Sequence, residues 1–278
     1  MTASNQPIGV FDSGYGGLTV LKEIVDLLPQ YDFVYLGDNA RTPYGTRSFD
    51  VVYEYTLEAV KRLFDEGCHL VILACNTASA KALRNIQQKD LPVIAPHKRV
   101  LGVIRPSVEE VATMTKNGHV GVVATSGTVA SESYPIELEK WSNGSVKQTS
   151  QMACPMWVPI VENNVMNTAG ADYFVQDNLQ SLFQKDPSID SLILGCTHYP
   201  LLIDSIRKYI PRQDVNIIEQ GKIVAQKLNE YLERHPEMES NCSKHSTRKY
   251  LTTEDPHFFE ARAAQFLGYD IQAEKIEL

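Results

Sequence analysis

Residues 70–80 read LVILACNTASA, and residues 191–202 read SLILGCTHYPLL. Each is a short apolar run with no polar alternation, and each stops at a cysteine followed by hydrogen-bonding residues. A run of that kind has to be buried on both faces, which is how strands inside a helix-covered parallel sheet read. Parallel neighbours need long crossover connections, so the two runs predict an α/β fold. The cysteines are 196 − 75 = 121 positions apart.

A second pair of segments runs in step with the first. The stretch PIGVF ends at Asp12-Ser13-Gly14 and leads into a helix pattern; HVGVVA ends at Thr125-Ser126-Gly127-Thr128 and does the same. Gly9 and Gly121 are 121 − 9 = 112 positions apart, close to the spacing of the cysteines. Two matches in the same order predict an internal duplication. The expected fold is two similar α/β domains with mainly parallel sheets, related by a pseudo-twofold axis, with a site in the cleft between them. The repeat, together with the family resemblance given below, implies domains of residues 1–97 with 210–278, and residues 98–209. Between these landmarks the pattern predicts a helix over 50–66, a helix over 78–89, a strand at 92–95, a helix within 99–117 broken near Pro106, and a polar loop over 235–247.

Composition narrows the function. A formal net charge of −8 argues against a general nucleic-acid binder, which needs a basic surface, and requires an acidic ligand to be held by local donors. The first residues lack the basic and apolar regions of a secretion signal, and no apolar run approaches the ~18 residues of a membrane span. Five cysteines without tight spacing read as free thiols in a reducing cytoplasm.

A cysteine where a strand meets a helix is a candidate reactive thiol. The unpaired N–H groups and positive dipole end there lower a thiol's pKa from its usual ~8.5 and welcome a carboxylate. Asn76-Thr77 and Thr197-His198 add side-chain donors. A single such cysteine is as well explained by core packing; two in parallel contexts point to a pair that face one substrate and handle one proton from opposite sides. Cys68 and Cys154 read as packed thiols, and Cys242 as an exposed one that lacks zinc-ligand spacing with His235 and His245. The glycines at 14, 16 and 17 match neither a dinucleotide fingerprint nor a P-loop, and a tight turn needing positive φ accounts for them. Asp12 at the strand's end suits both a helix cap and a site. A cysteine hydrolase with His198 as base, and a non-catalytic binder of an acidic metabolite, are the alternative classes.

The segments VFDSGYGGLTVL, LGDNARTPYG, ACNTASA, GVVATSGTVASESYP, ACPMWVPIVE and LGCTHYPLL, in this order over nearly the whole chain, resemble the motifs of bacterial glutamate racemases. His198 stands where the related aspartate racemases tend to carry an acidic residue. The resemblance implies cofactor-independent interconversion of L- and D-glutamate by two bases, with no metal. Cys75 would take the proton from D-glutamate and Cys196 from L-glutamate. Asp12 would assist Cys75; His198, with Glu162, would assist Cys196. Ser13, Asn76, Thr77 and Thr197 would hold the substrate's carboxylates and ammonium, with Asp12, His198 and the pair Tyr44-Gly45 also against it. Further implications are a small-molecule substrate as the partner, with a homodimer left open, and a cytoplasmic supply of D-glutamate for peptidoglycan. The chain departs from the pattern at Glu219-Gln220-Gly221, at Arg105 and Ser107, and in the 235–247 loop.

Overall fold

The structure, a computed structural model, describes residues 6–278; residues 1–5, part of the stretch read for a secretion signal, lie outside the described residues. Among the described residues ten strands are formed: β1 Ile8–Asp12, β2 Phe33–Gly37, β3 Leu70–Leu73, β4 Arg99–Gly102, β5 His119–Ala124, β6 Gln148–Ala153, β7 Ser191–Gly195, β8 Asn216–Ile218, β9 Arg248–Thr252 and β10 Ala273–Lys275. They make a six-stranded sheet in the order β10-β9-β2-β1-β3-β4 and a four-stranded sheet in the order β6-β5-β7-β8. Every pairing is parallel.

The duplication is visible in the strand order. β2-β1-β3-β4 and β6-β5-β7-β8 have the same topology, and β9 and β10 extend the first sheet beyond β2. In each unit the first strand has neighbours on both sides that leave it in opposite directions. That is the switch point at which an open parallel sheet leaves a crevice beyond its carboxyl ends. Asp12 closes β1 and Cys75 lies just past β3; Thr125 lies just past β5 and Cys196 just past β7. Both cysteine motifs thus stand at the place where this architecture binds ligands. The chain passes from the first sheet to the second after Gly102 and returns after Ile218, somewhat beyond the expected 97 and 210.

The apolar runs are buried because helices cover both faces. One core cluster joins β1, β2 and β3 through the helices Gly17–Leu27 and Gln220–Arg234 to β5 and β7 of the second sheet, and so runs through both halves. A second core lies between the far face of the first sheet and the helix Phe49–Asp65. A third lies between the far face of the second sheet and the helices Ile104–Met114 and Ser133–Trp141. Among the described residues no helix is long and apolar enough to cross a membrane.

Three expectations are corrected. Residues 92–95 are not a strand: Leu91–Ile94 is a short helix with Val93 82% exposed, and the strand beside β3 is β4, whose first residue is Arg99. Leu91 and Ala95 reach the core there, while Val93 and Ile94 face away from it. Pro106 does not break its helix, because it stands in the first turn of Ile104–Met114, where a missing N–H costs no hydrogen bond. Cys242 is buried rather than exposed, with its Sγ donating to the Met238 carbonyl at 3.4 Å. The short helix Pro236–Glu239 folds the 235–247 segment back and covers it. His245 is turned instead to Asp32 and His235 to Glu237, so these three side chains serve separate partners.

Candidate active site

Cys75 caps the helix Asn76–Lys81: its Sγ accepts the Ala78 N–H at 3.4 Å and lies 3.4 Å from the Ser13 hydroxyl. The thiol was expected to be lowered by this helix end. Burial outweighs it. Desolvation pushes the Cys75 thiol up to about 12, the negative Asp12 adds to the rise, and the Ser13 and Ala78 donors only oppose it. Cys75 is therefore a protonated thiol at neutral pH. Asp12 acts on it through charge, while the direct polar contact comes from Ser13.

Asp12 is itself buried, and burial raises its pKa against the opposing charge of His198 and the N–H groups of Gly14 and Gly17. Its carboxylate accepts the Gly14 N–H at 2.9 Å and the Thr197 hydroxyl at 3.4 Å. The second bond crosses from the first domain to the second cysteine motif. Thr19 makes another crossing, donating to the Thr197 carbonyl at 3.0 Å. Gly16 explains why the turn is glycine-rich: a Cβ there would overlap Thr197 Oγ1 and the His198 ring. The three glycines keep negative φ, so close approach, rather than a left-handed turn, is what requires Gly16.

Cys196 has different surroundings. The chain leaves it through a 3₁₀ turn, Tyr199–Leu202, before the helix Ile203–Tyr209, so no helix end faces the sulfur as one does at Cys75. The positive charge comes from His198, whose Nδ1 lies 3.8 Å from Cys196 Sγ and whose Nε2 lies 3.0 Å from Glu162 Oε1. Burial alone would lower the ring's pKa, but the Cys196 sulfur and the Glu162 carboxylate outweigh it and raise it to about 10. His198 is thus an imidazolium at neutral pH, held between Cys196 and Glu162. Asp12, whose charge acts on Cys75, accepts the hydroxyl of Thr197, the residue after Cys196, so the two cysteine motifs meet where the domains touch.

The remaining expected residues divide. Thr77 is at the site's wall, its hydroxyl 2.9 Å from Thr125 and 3.3 Å from Thr128 of the second domain. Gly45 lies against Thr125, where a Cβ would come within 2.9 Å of the threonine Cβ. The Tyr44 hydroxyl is turned away and bonded to Asp38. The Asn76 amide is likewise committed to buried partners, Gln220 at 2.6 Å and Tyr134 at 2.7 Å. What Asn76 and Thr77 present to a ligand from the helix's first turn is backbone N–H without an intrahelical acceptor. Thr125 and Thr128 were not read from the sequence as site residues. The signal was there, since Thr125-Ser126-Gly127-Thr128 occupies in the second domain the place of Asp12-Ser13-Gly14 in the first. A separate cavity of about 630 Å³, lined by residues such as Lys81, Arg84, Arg105 and Trp141, includes neither cysteine.

Fold and site together define a two-domain α/β protein whose two cysteine motifs meet between its parallel sheets, with Cys75 a buried thiol and Cys196 against a protonated histidine. A family model described as Asp/Glu/Hydantoin racemase matches residues 8–228. A glutamate racemase of Roseobacter denitrificans is 42% identical, over 95% of this chain and 98% of that protein. A solved glutamate racemase isoform from Bacillus anthracis superimposes with a TM-score of 0.88 at 36% identity, over 99% of this chain and 98% of the other. The glutamate racemase of Francisella tularensis, solved in complex with D-glutamate, gives 0.86 at 32% identity, over 99% and 98%. The chain belongs to the Asp/Glu/Hydantoin racemase family, among its glutamate racemases.

Proposed function

We propose that the chain interconverts L- and D-glutamate with Cys75 and Cys196 as its two acid–base groups and with no cofactor. The observation that carries this reading is the opposed electrostatics of the two sulfurs. Cys75 is held as a thiol beside a buried carboxylate, and Cys196 lies against an imidazolium. In the L-to-D direction the Cys196 thiolate removes the α-proton, forming its S–H bond as the C–H bond breaks. The Cys75 thiol then gives its proton to the opposite face of the planar carbanion. Return of the enzyme to its first state requires one proton to leave Cys196 and one to reach Cys75. In the D-to-L direction the roles exchange.

The carbanion is the costly species, and fixed donors in a water-poor cleft are the means of stabilising it. Ser13, Thr77, Thr197 and the two threonines Thr125 and Thr128, with the first-turn N–H groups at Asn76 and Thr77, are the donors we assign to the substrate's carboxylates. Asp12 and Glu162 suit its ammonium. Tyr44-Gly45 shapes the wall at Thr125. Closure of the two domains would exclude water. The free state of all five cysteines suits a cytoplasmic enzyme, and D-glutamate made there would feed peptidoglycan precursors. A homodimer is compatible with this reading.

The test is incubation with L-glutamate in deuterated water, with a metal chelator and a carbonyl reagent in parallel. Loss of optical rotation with deuterium at Cα, unaffected by either reagent, is expected. Exchange without loss of rotation, or inhibition by either reagent, would overturn the mechanism; no reaction with glutamate would overturn the substrate.

A further inference from the structure

Gln220 begins the helix Gln220–Arg234, directly after the chain leaves β8 to return to the first domain. Its side chain is buried and lies beside the other crossover, at Val103 and Ser107. The Val103 carbonyl favours one orientation of its amide. The Val103 carbonyl can only accept, so the end facing it at 3.3 Å is Nε2. The other end, Oε1, then accepts the Asn76 Nδ2–H at 2.6 Å. That leaves Asn76 Oδ1 to accept the Tyr134 O–H at 2.7 Å, and the Tyr134 oxygen to accept a Gln220 Nε2–H at 2.9 Å. The three side chains close a ring in which each donates to the next. The second Nε2–H is shared between Ser107 Oγ at 2.8 Å and the Val103 carbonyl at 3.3 Å, and Ser107 donates in turn to the same carbonyl at 2.9 Å.

The ring touches the chemistry at two points. Asn76 follows Cys75 in the chain. Tyr134 lies on Gly195, the residue before Cys196: a Cβ on Gly195 would come 3.0 Å from the Tyr134 ring. Asn76 belongs to the first domain, Tyr134 to the second, and Gln220 to the crossover between them. Three buried, directional bonds therefore tie the residue beside one sulfur to Tyr134, whose ring packs at the residue beside the other.

We propose that Gln220 and Tyr134 are positioning residues that set the spacing of the two sulfurs across the substrate. The inference rests on the two-thiol reading above. Its consequence is specific: with the ring broken, a proton taken by one thiol is less readily answered by the other, so the carbanion waits. The first thiol then exchanges its proton with solvent and returns it to the same face. Labelled substrate accumulates relative to labelled product.

The experiment measures, at early conversion of L-glutamate in deuterated water, the ratio of deuterium in recovered L-glutamate to deuterium in D-glutamate. This ratio is independent of how much of the enzyme is folded. For Gln220→Leu and Tyr134→Phe the ratio is expected to rise about tenfold or more, with kcat falling up to about a hundredfold and KM changing far less, the scale for a misplaced reacting group. Ser107→Ala, which removes only the outer arm and leaves the ring, is expected to keep the native ratio even where it lowers thermal stability. A native ratio in both ring variants would overturn the proposal, as would an equal rise in Ser107→Ala, which would mark general loosening. A native enzyme that fails to invert glutamate, or that labels substrate and product alike, would instead overturn the two-thiol reading on which it rests.

Discussion

Glu162→Gln isolates the charge that holds His198 protonated. The carboxylate lies 3.0 Å from His198 Nε2, and the replacement keeps its shape and one acceptor oxygen. The ring stands at about 10 against an ordinary 6.5, on the order of 5 kcal/mol in favour of the charged form at ~1.4 kcal/mol per pH unit. Cys196 and Glu162 share that effect against the opposing cost of burial. A single opposite charge at such range accounts for about one to three pH units, so the variant's ring should titrate near 8. At pH 9 the native ring is then about nine-tenths protonated and the variant's about one-tenth. In the proposed two-thiol mechanism the imidazolium is the form that favours negative charge on Cys196, so activity is expected to fall as pH rises through the ring's pKa. The assay is the pH profile of kcat/KM for L-glutamate, followed by polarimetry. The basic limb should move down by one to three pH units, with about a tenfold loss at pH 9 and a much smaller one at pH 7. A limb that stays in place while the whole profile drops would refute the role given to the Glu162 charge.

Three further outcomes follow from the geometry. Cys75→Ser and Cys196→Ser should each lower the rate of full inversion by about 10²–10⁴-fold, the scale of a lost acid–base group, as measured by circular dichroism of the product; near-native inversion in either variant would refute the pairing. Gly16→Ala has an allowed backbone, with φ −58°, so its effect is steric. The added methyl displaces Thr197 and His198, and kcat should fall up to about a hundredfold while the thermal midpoint moves little. Asp32→Asn tests stability away from the site. Burial works against the Asp32 carboxylate, but donors from Ser243, Thr247 and His245 hold its pKa well below the ordinary range. A depressed carboxylate stabilises the fold above its unfolded pKa of ~3.9, and that contribution is lost as pH falls towards the folded value. The variant should be about 3 kcal/mol less stable at pH 7 and show a flatter decline below pH 4, read by denaturant titration.

The fold was legible where local pattern and burial coincide. β3 and β7 are buried at every position because helices cover both faces, and their apolar runs leave little other reading. Residues 92–95 show the limit of the same signal. Val93 and Ile94 look like strand but stand exposed on a short helix, while β4 opens on an arginine at the sheet's edge. The cysteine motifs announced the site through position and polar successors, yet not its electrostatics. Burial governs Cys75, and it and the charge and hydroxyl that modify it come from packing against Asp12 and Ser13, 75 − 13 = 62 positions from the nearer of them. Asn76 carries a further lesson. Its place after Cys75 suggested a ligand contact, but Gln220 and Tyr134, far away in sequence, occupy its amide.

The two sulfurs arrive from equivalent strands of a repeated unit and meet different neighbours, a carboxylate and hydroxyl at one wall and an imidazolium at the other. Mirror-image amino acids have equal free energies in water, so their equilibrium mixture is racemic whatever the enzyme contains. The ratio of kcat/KM for the two enantiomers is therefore fixed at one at every pH. Unequal walls can only shift how bound substrate divides between its two hands, moving kcat and KM by the same factor in each direction. Divergence of the two halves after duplication was in that sense free of thermodynamic penalty: each wall could change its chemistry without biasing the product, provided the pair still passed one proton between them.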